Sequence, residues 1–74
     1  MKIPNKKLLD ELRSQYPAGT RVELVFMDDP QAPPVGIRGT VYAVDDFANV
    51  CIKWDNNSSL SAVYGVDVIR KIEE

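Results

Sequence analysis

Apolar residues near the start of the chain recur at intervals of about four positions. They are Leu8, Leu9, Leu12 and Tyr16. Apolar residues at this spacing lie along one face of an α-helix. Asn5 can cap the free N–H groups at its start, and Pro17 ends it because the residue before a proline avoids helical backbone angles. The pattern predicts a helix over residues 5–16, whose apolar face needs the rest of the chain, or a partner, to cover it.

Beyond Gly19 the apolar period shortens from four residues to two, which is typical of β-strands. Five such segments follow, and they span residues 21–26, 39–45, 49–54, 60–64 and 68–72. The side chains that alternation places together are Val22, Leu24 and Phe26 in the first segment and Val50, Ile52 and Trp54 in the third. In the second segment, Val41 and Val44 are both expected to point inward. Their spacing of three residues predicts a β-bulge or a strong bend between them.

Turn-forming residues divide these segments. Residues 27–38 include three prolines, so they form a stiff loop rather than a ladder. Asp and Asn begin the turns at residues 45–48 and 55–58, and residues 64–67 form a short turn. Short strands at such intervals are typical of small barrels. We therefore expect a mainly β fold, a small five-stranded SH3-like barrel preceded by one N-terminal helix, in a single domain over residues 1–74 with the barrel at 20–72.

Composition argues against catalysis. The 74 residues include no histidine, so the commonest general base and every Ser-His or Cys-His pair are excluded within the chain. Cys51 is the only cysteine, which excludes an intrachain disulfide, and we interpret it as structural. No catalytic motif is present. We expect a protein that is not an enzyme and needs no cofactor.

Charge is unevenly distributed along the chain. Residues 1–25 carry a surplus of two positive charges, residues 26–67 carry a net charge of −4, and the last seven residues balance, which gives −2 in total. An acidic barrel is a poor match for a phosphate backbone. No apolar run approaches the roughly 20 residues that span a bilayer, and no signal peptide is evident. We expect a cytoplasmic protein without membrane contact.

Several segments resemble a family of short bacterial, phage and mobile-element proteins known only as a domain of unknown function. These segments are Tyr-Pro-Ala-Gly-Thr-Arg-Val (16–22), Met-Asp-Asp-Pro-Gln-Ala-Pro-Pro (27–34), Gly-Ile-Arg-Gly-Thr-Val (36–41), Lys-Trp-Asp-Asn (53–56) and Val-Tyr-Gly-Val-Asp (63–67). Asn57 departs from the pattern, where a glycine is expected. The resemblance implies a bacterial or mobile-element setting, and it implies no activity.

Candidate binding residues lie mainly in the loop and turns of the predicted barrel. They are Asp28, Asp29, Pro30, Pro33, Pro34, Tyr42, Asp45, Asp46, Asp55 and Tyr64. Paired carboxylates on a stiff loop can hold a basic peptide, and long loops in small domains are often functional. The alternative is that these aspartates cap turns. Asp67 is a further acidic residue that could join this rim. No spaced ligand motif for a metal is present, so no metal site is expected.

Aromatic residues offer contact area for a partner. Tyr42 is out of phase with Val41, so it is the better candidate for an exposed contact, and Tyr64 follows the fourth strand. Trp54 has two interpretations, a groove residue or the largest core side chain.

The leading hypothesis is a small protein-interaction module that binds another protein or peptide. Its groove would be formed by the 27–38 loop and the turns at 45–48 and 55–59. One alternative is a nucleic-acid-binding barrel that uses Lys2, Lys6, Lys7 and Arg13. Another is a phage-type inhibitor of a host protein. Both a monomer and a homodimer through Leu8, Leu9 and Leu12 stay open.

Overall fold

One helix and five strands make up residues 5–72, the part of the chain that the computed structural model describes. The elements are, in chain order, α1 (Lys6–Gln15), β1 (Arg21–Phe26), β2 (Arg38–Val44), β3 (Asn49–Trp54), β4 (Ala62–Val63) and β5 (Val68–Lys71). All strand pairs are antiparallel, and they form one sheet in the order β4-β3-β2-β1-β5. The prediction of a mainly β fold with an N-terminal helix is confirmed.

Helix α1 is one residue shorter at each end than the predicted range 5–16, because Asn5 and Tyr16 are its caps. The side chain of Asn5 accepts a hydrogen bond of 2.8 Å from the Leu8 N–H, and the backbone N–H of Tyr16 donates to the Leu12 carbonyl. Leu9 and Leu12 are buried against the sheet. These leucines are therefore used within the chain, and burial of their apolar surface stabilises a helix that would be marginal alone.

The core lies on the inner side of the sheet, beneath the helix. Its fully buried side chains are Val22, Leu24, Val41, Ile52 and Trp54, all of which the alternation predicts. The indole N–H of Trp54 donates 2.9 Å to the Leu60 carbonyl, so its one polar atom is satisfied. Gly39 leaves room for this ring, because a Cβ there would lie 2.8 Å from Trp54 and 2.6 Å from Ile52.

Two bulges change the side of the sheet that particular residues occupy. Of the two predicted alternatives for β2, the bulge is found: it falls between Val41 and Ala43, and both Val41 and Val44 are buried. A second bulge, in β1 between Leu24 and Phe26, is not predicted by the sequence pattern. It turns Phe26 outward, so the alternation of Val22 and Leu24 does not extend to Phe26, whose side chain is half exposed.

The fourth strand is shorter than residues 60–64. Only Ala62–Val63 pairs with β3. The backbone N–H of Trp54 donates a hydrogen bond to the Ser58 carbonyl, which closes the predicted turn. Asn57, within this turn, has a positive φ of 71°. The chain then continues past Leu60, whose side chain packs on the core, before it pairs. Among residues 5–72, no ladder joins the edge strands β4 and β5, so closure into an SH3-like barrel stays a prediction.

Candidate functional site

Asp45 is held inside the turn between β2 and β3. Its carboxylate accepts hydrogen bonds from the backbone N–H groups of Phe47 and Asn49, both 2.9 Å, and from the Asn49 side chain at 3.0 Å. Partial burial acts to raise the pKa of Asp45, but the hydrogen bonds from Asn49 and Phe47, helped by Arg13, outweigh it and lower the pKa. Asp45 therefore serves the turn.

Asp46 and Asp55 are each paired with an arginine. Asp46 accepts a hydrogen bond of 2.8 Å from the Arg13 guanidinium. Arg13 also donates two hydrogen bonds to the Val44 carbonyl, which connect α1 to the sheet. Asp55 accepts two hydrogen bonds of 2.9 and 2.8 Å from Arg21. These hydrogen bonds from Arg21 lower the pKa of Asp55. Both carboxylates are therefore already engaged within the fold, through ion pairs with arginines rather than through the turn capping that the alternative predicts.

The 27–37 loop divides into buried and exposed parts. Asp29 accepts 2.7 Å from the Gln31 N–H, which forms a local turn. Pro33 is buried with Met27, whereas Pro30 and Pro34 are exposed. Among residues 5–72, no hydrogen bond or ion pair engages the exposed carboxylate of Asp28. Asp28 is therefore the acidic candidate that has a charge to offer a partner.

The structure does not bring all three predicted segments into one groove. The turns at 45–48 and 55–58 lie at opposite ends of β3, the strand Asn49–Trp54. Six residues of strand separate its ends by roughly 20 Å. The 27–37 loop contacts the chain elsewhere, through Asp28 and Asp67. Most of the candidates are exposed, whereas Pro33 is buried and Asp45 is partly buried, and together they do not converge on one point.

Asp67 links parts of the chain that are far apart in sequence. Its carboxylate accepts a hydrogen bond of 2.9 Å from the Asp28 N–H and another of 2.8 Å from the Val63 N–H. The Val63 carbonyl in turn accepts hydrogen bonds from the N–H groups of Val66 and Asp67. The 27–37 loop, β4 and the turn before β5 are thereby fastened together. Residue spacing gives no sign of this role, because it depends on a contact between residues 39 positions apart.

A groove of about 450 Å³ opens beside this junction, between α1 and the β4–β5 connection. Its walls are Leu12, Gln15 and Tyr16 from the helix, Val50 and Ala62 from the sheet, and residues 63–69. We call it the edge groove. Its lining is mainly apolar, and the ammonium of Lys71 lies 5.9 Å above the Tyr16 ring at its helix side.

The rim of the edge groove exposes large apolar side chains. Val63, Tyr64, Val66 and Val68 each leave between 41% and 56% of their surface in solvent. Tyr64 is thus a rim residue, as a binding role requires. Tyr42 is equally exposed at 56%, which confirms the sequence prediction, but it lies on β2 outside the groove lining. Trp54 is 1% exposed and belongs to the core.

A family model described as "Domain of unknown function (DUF4314)" matches residues 5–72. The chain belongs to this family. No curated protein sequence matches the chain significantly, and no solved structure does. The DUF4314 match covers the whole region that the structure describes, so every residue of the edge groove lies within it.

Other groups that the sequence singles out in this DUF4314 chain lie apart from the groove rim. Lys6 pairs loosely with Asp10 at 3.7 Å on an exposed helix face that also carries Lys7, and Lys2 lies outside the described residues. Cys51 is partly buried in β3. Within residues 5–72 no three acidic or cysteine side chains are grouped to hold a metal, and no helix is long and apolar enough to cross a membrane.

Proposed function

We propose that this protein is a small protein-interaction module whose edge groove binds a short apolar segment of a partner protein. The observation that carries the proposal is the exposed apolar rim around a groove of about 450 Å³. Contiguous exposed apolar side chains on a small soluble domain are costly and commonly mark an interaction site. Tyrosine in such a position offers a large, rigid contact area at little entropic cost.

The charge beside the groove indicates what the bound segment carries. Asp67 lines the groove, but each of its carboxylate oxygens already accepts a hydrogen bond from a backbone N–H group. The backbone of Asp28 lies within hydrogen-bond distance of Asp67, and its own carboxylate is exposed. A partner segment with a lysine or arginine next to its apolar residues would place that cation near Asp28. This retains the predicted role of Asp28 and transfers the contact area to Tyr64, Val66 and Val68.

Strand addition is a poor alternative at this edge. A peptide that extends the sheet needs free N–H and C=O groups on the edge strand. The Val63 N–H already donates to Asp67, and the Val63 carbonyl already accepts from Val66 and Asp67. Side-chain contacts in the groove, rather than backbone pairing with β4, would therefore supply the binding energy.

The cellular setting and the finer class of the fold belong to the same proposal. The family resemblance of the 27–34 and 53–56 segments supports a bacterial or mobile-element protein, and action in the cytoplasm is the setting that we propose for it. The strand order, in which the first strand lies between β2 and β5, supports an SH3-like arrangement. Binding in the edge groove does not depend on either of them.

A peptide selection tests the proposed function. The purified chain is used to select binders from a displayed library of random peptides, and the affinity of each synthetic winner is measured by calorimetry. We expect peptides with two or more large apolar residues beside a lysine or arginine. Tyr64→Ser should weaken them about 5- to 30-fold, the range for truncating an anchoring side chain. Asp28→Asn should weaken only the peptides that carry the cation.

Tyr42→Ser is the matched control, because Tyr42 and Tyr64 have the same exposure, 56%, and only Tyr64 lines the groove. It should leave peptide affinity unchanged. Selection of no peptide that responds to Tyr64→Ser, or equal losses in both tyrosine variants, would overturn the groove as the binding site.

A further inference from the structure

The outer side of the sheet, which faces away from the core, gathers charged residues from four strands. One cross-strand row runs Lys53, Thr40, Arg21, and the next runs Asp55, Arg38, Glu23, Arg70. These two rows hold four cations and two carboxylates, a surplus of two positive charges. Because the whole chain has a formal charge of −2, the rest of it carries −4. Folding therefore concentrates positive charge on one side of an acidic protein. We call this side the outer face.

Within the described part of the chain, only two of the four cations on the outer face form ion pairs with carboxylates. Arg21 binds Asp55 through two hydrogen bonds, and Arg70 donates 2.9 Å to Glu23. Among residues 5–72, the side chains of Arg38 and Lys53 have no hydrogen bond or salt bridge of their own, although the Arg38 charge acts on Asp55 from a distance. Arg38 and Lys53 occupy diagonal positions on the neighbouring strands β2 and β3. Residues at such positions are about 7–8 Å apart.

An exposed aromatic ring lies on the same face, diagonal to Lys53 and four residues along β2 from Arg38. Tyr42 follows Thr40 by two residues on β2, so the normal alternation places both on the outer face. The β2 bulge turns Ala43 to the same side, and it leaves Tyr42 without a direct cross-strand partner. The ring is 56% exposed. The next residue on this side of β2 is the small Ala43, so the exposed part of the ring is accessible to a planar ligand.

We propose that the outer face binds single-stranded nucleic acid. Arg38 and Lys53 contact successive phosphates, and Tyr42 stacks on a base next to them. Single-stranded binding sites combine these two features, cations that follow the backbone and an aromatic ring on which a base stacks. A single strand fits better than a duplex, because the bases of a duplex are already stacked on one another and present no free face to the ring. This site is separate from the edge groove and does not rest on the function proposed for it.

The test is fluorescence anisotropy with a labelled 20-nucleotide oligothymidine at several salt concentrations. Neutralising two phosphates on a single strand predicts a slope of about −1.4 in log affinity against log salt, or about a sevenfold loss between 50 and 200 mM. Arg38→Gln/Lys53→Gln should abolish most of this slope. Tyr42→Leu should lower affinity at least about fivefold and leave the slope unchanged, because stacking does not depend on counter-ion release.

Two control variants distinguish binding at the outer face from binding at other surfaces of the protein. Lys6→Gln/Lys7→Gln removes the same number of charges from α1 and should change nothing. Tyr64→Leu removes an equally exposed tyrosine from the edge groove, and it should leave oligothymidine affinity unchanged although it weakens peptide binding in that groove. All four variants alter exposed side chains, and their thermal unfolding is measured first so that only folded protein is compared.

Several results would overturn the proposal. They are an equal loss in the Lys6/Lys7 variant, no effect of Tyr42→Leu, or equal affinity for a duplex of the same length. Equal affinity for polyglutamate would identify the outer face as a site for acidic protein segments instead. Loss of peptide binding in the Tyr64 variant with intact oligothymidine binding would support both sites, since each would then fail independently of the other.

Discussion

Asp45 has the most extensive hydrogen bonding among the carboxylates at the turns, and its environment has a consequence for acid stability. The carboxylate accepts three hydrogen bonds within the 45–48 turn and from Asn49 beside it, and these lower its pKa below the ordinary value of 3.8. A carboxylate whose pKa is lower in the folded chain than in the unfolded chain stabilises the fold while it is ionised. That contribution is complete above about pH 5 and is lost as the pH falls through 3.8 towards the folded-state pKa.

We therefore expect Asp45→Asn to reduce the dependence of stability on acid. Urea unfolding at pH 7 should show the variant to be less stable than the wild type. The difference in the free energy of unfolding between the two proteins should decrease as the pH is lowered from about 5 to about 2.5. Only the wild type has a carboxylate at this position that becomes protonated in that range.

Val50→Ala provides the control, since it removes buried apolar surface in the strand that follows the same turn. Its destabilisation should stay constant across that range of pH. If the gap between Asp45→Asn and the wild type is likewise constant, the carboxylate does not contribute through its charge.

At the residue scale, apolar and aromatic positions could be predicted from the sequence better than acidic ones. Val50, Ile52 and Trp54 are buried as their alternation predicts, and Tyr42 is exposed. Burial follows from period and size, which are local properties. The use of a carboxylate depends on which donors approach it. Asp55 meets Arg21 from 34 residues away, and no local pattern encodes that approach.

Asp67 acts between elements, because its two oxygens bind the N–H groups of Asp28 and Val63. Asp67→Ala leaves both donors without this acceptor at the junction of the 27–37 loop with β4. Hydrogen bonds to a charged group contribute about 1.5–3 kcal/mol each when buried, and less when exposed as here. We expect a total loss of about 1–3 kcal/mol in the free energy of unfolding, measured by urea denaturation.

Asp29→Ala is the matched control for Asp67→Ala. It removes an aspartate from the same loop that accepts only one hydrogen bond among the described residues, a local one from Gln31. Its cost should stay below about 1 kcal/mol. Similar losses in the two variants would contradict the linking role of Asp67. Amide hydrogen exchange should also accelerate at Val63 in the Asp67 variant alone.

At the scale of elements, helix α1 and most strand bounds were predictable, and the exceptions have physical causes. The helix has its own signals in Asn5 and Pro17. The bulge in β1 has none, because Val25 and Phe26 are both apolar and either suits a strand. The fourth strand is short because the Trp54 indole N–H donates a hydrogen bond to the Leu60 carbonyl. This contact keeps residues 58–60 from pairing with β3. That contact requires the finished core.

At the scale of the whole molecule, charge shows the largest difference between sequence order and the folded chain. Along the chain, residues 26–67 sum to −4, which predicts an acidic barrel. In space, Arg21 and Arg70 come from outside that segment and join Arg38 and Lys53 on the outer face. Segment sums average over both sides of a sheet. Strand pairing separates the sides, so the candidate outer-face site could not be predicted from the sequence.

This separation predicts an unusual chromatographic behaviour for a protein whose sequence pI is about 5.0. At about 0.1 M salt the screening length is about 10 Å, so a charged surface responds to the nearest face of the protein rather than to its net charge. We expect a sulfonate resin at pH 7 to retard the wild type although its net charge is −2. Arg38→Gln/Lys53→Gln should elute without delay, because it removes the two outer-face cations that have no ion pair within residues 5–72. Lys6→Gln/Lys7→Gln reaches the same net charge and should still be retarded. If both double variants elute together, net charge governs the interaction, and the outer face carries no effective positive potential.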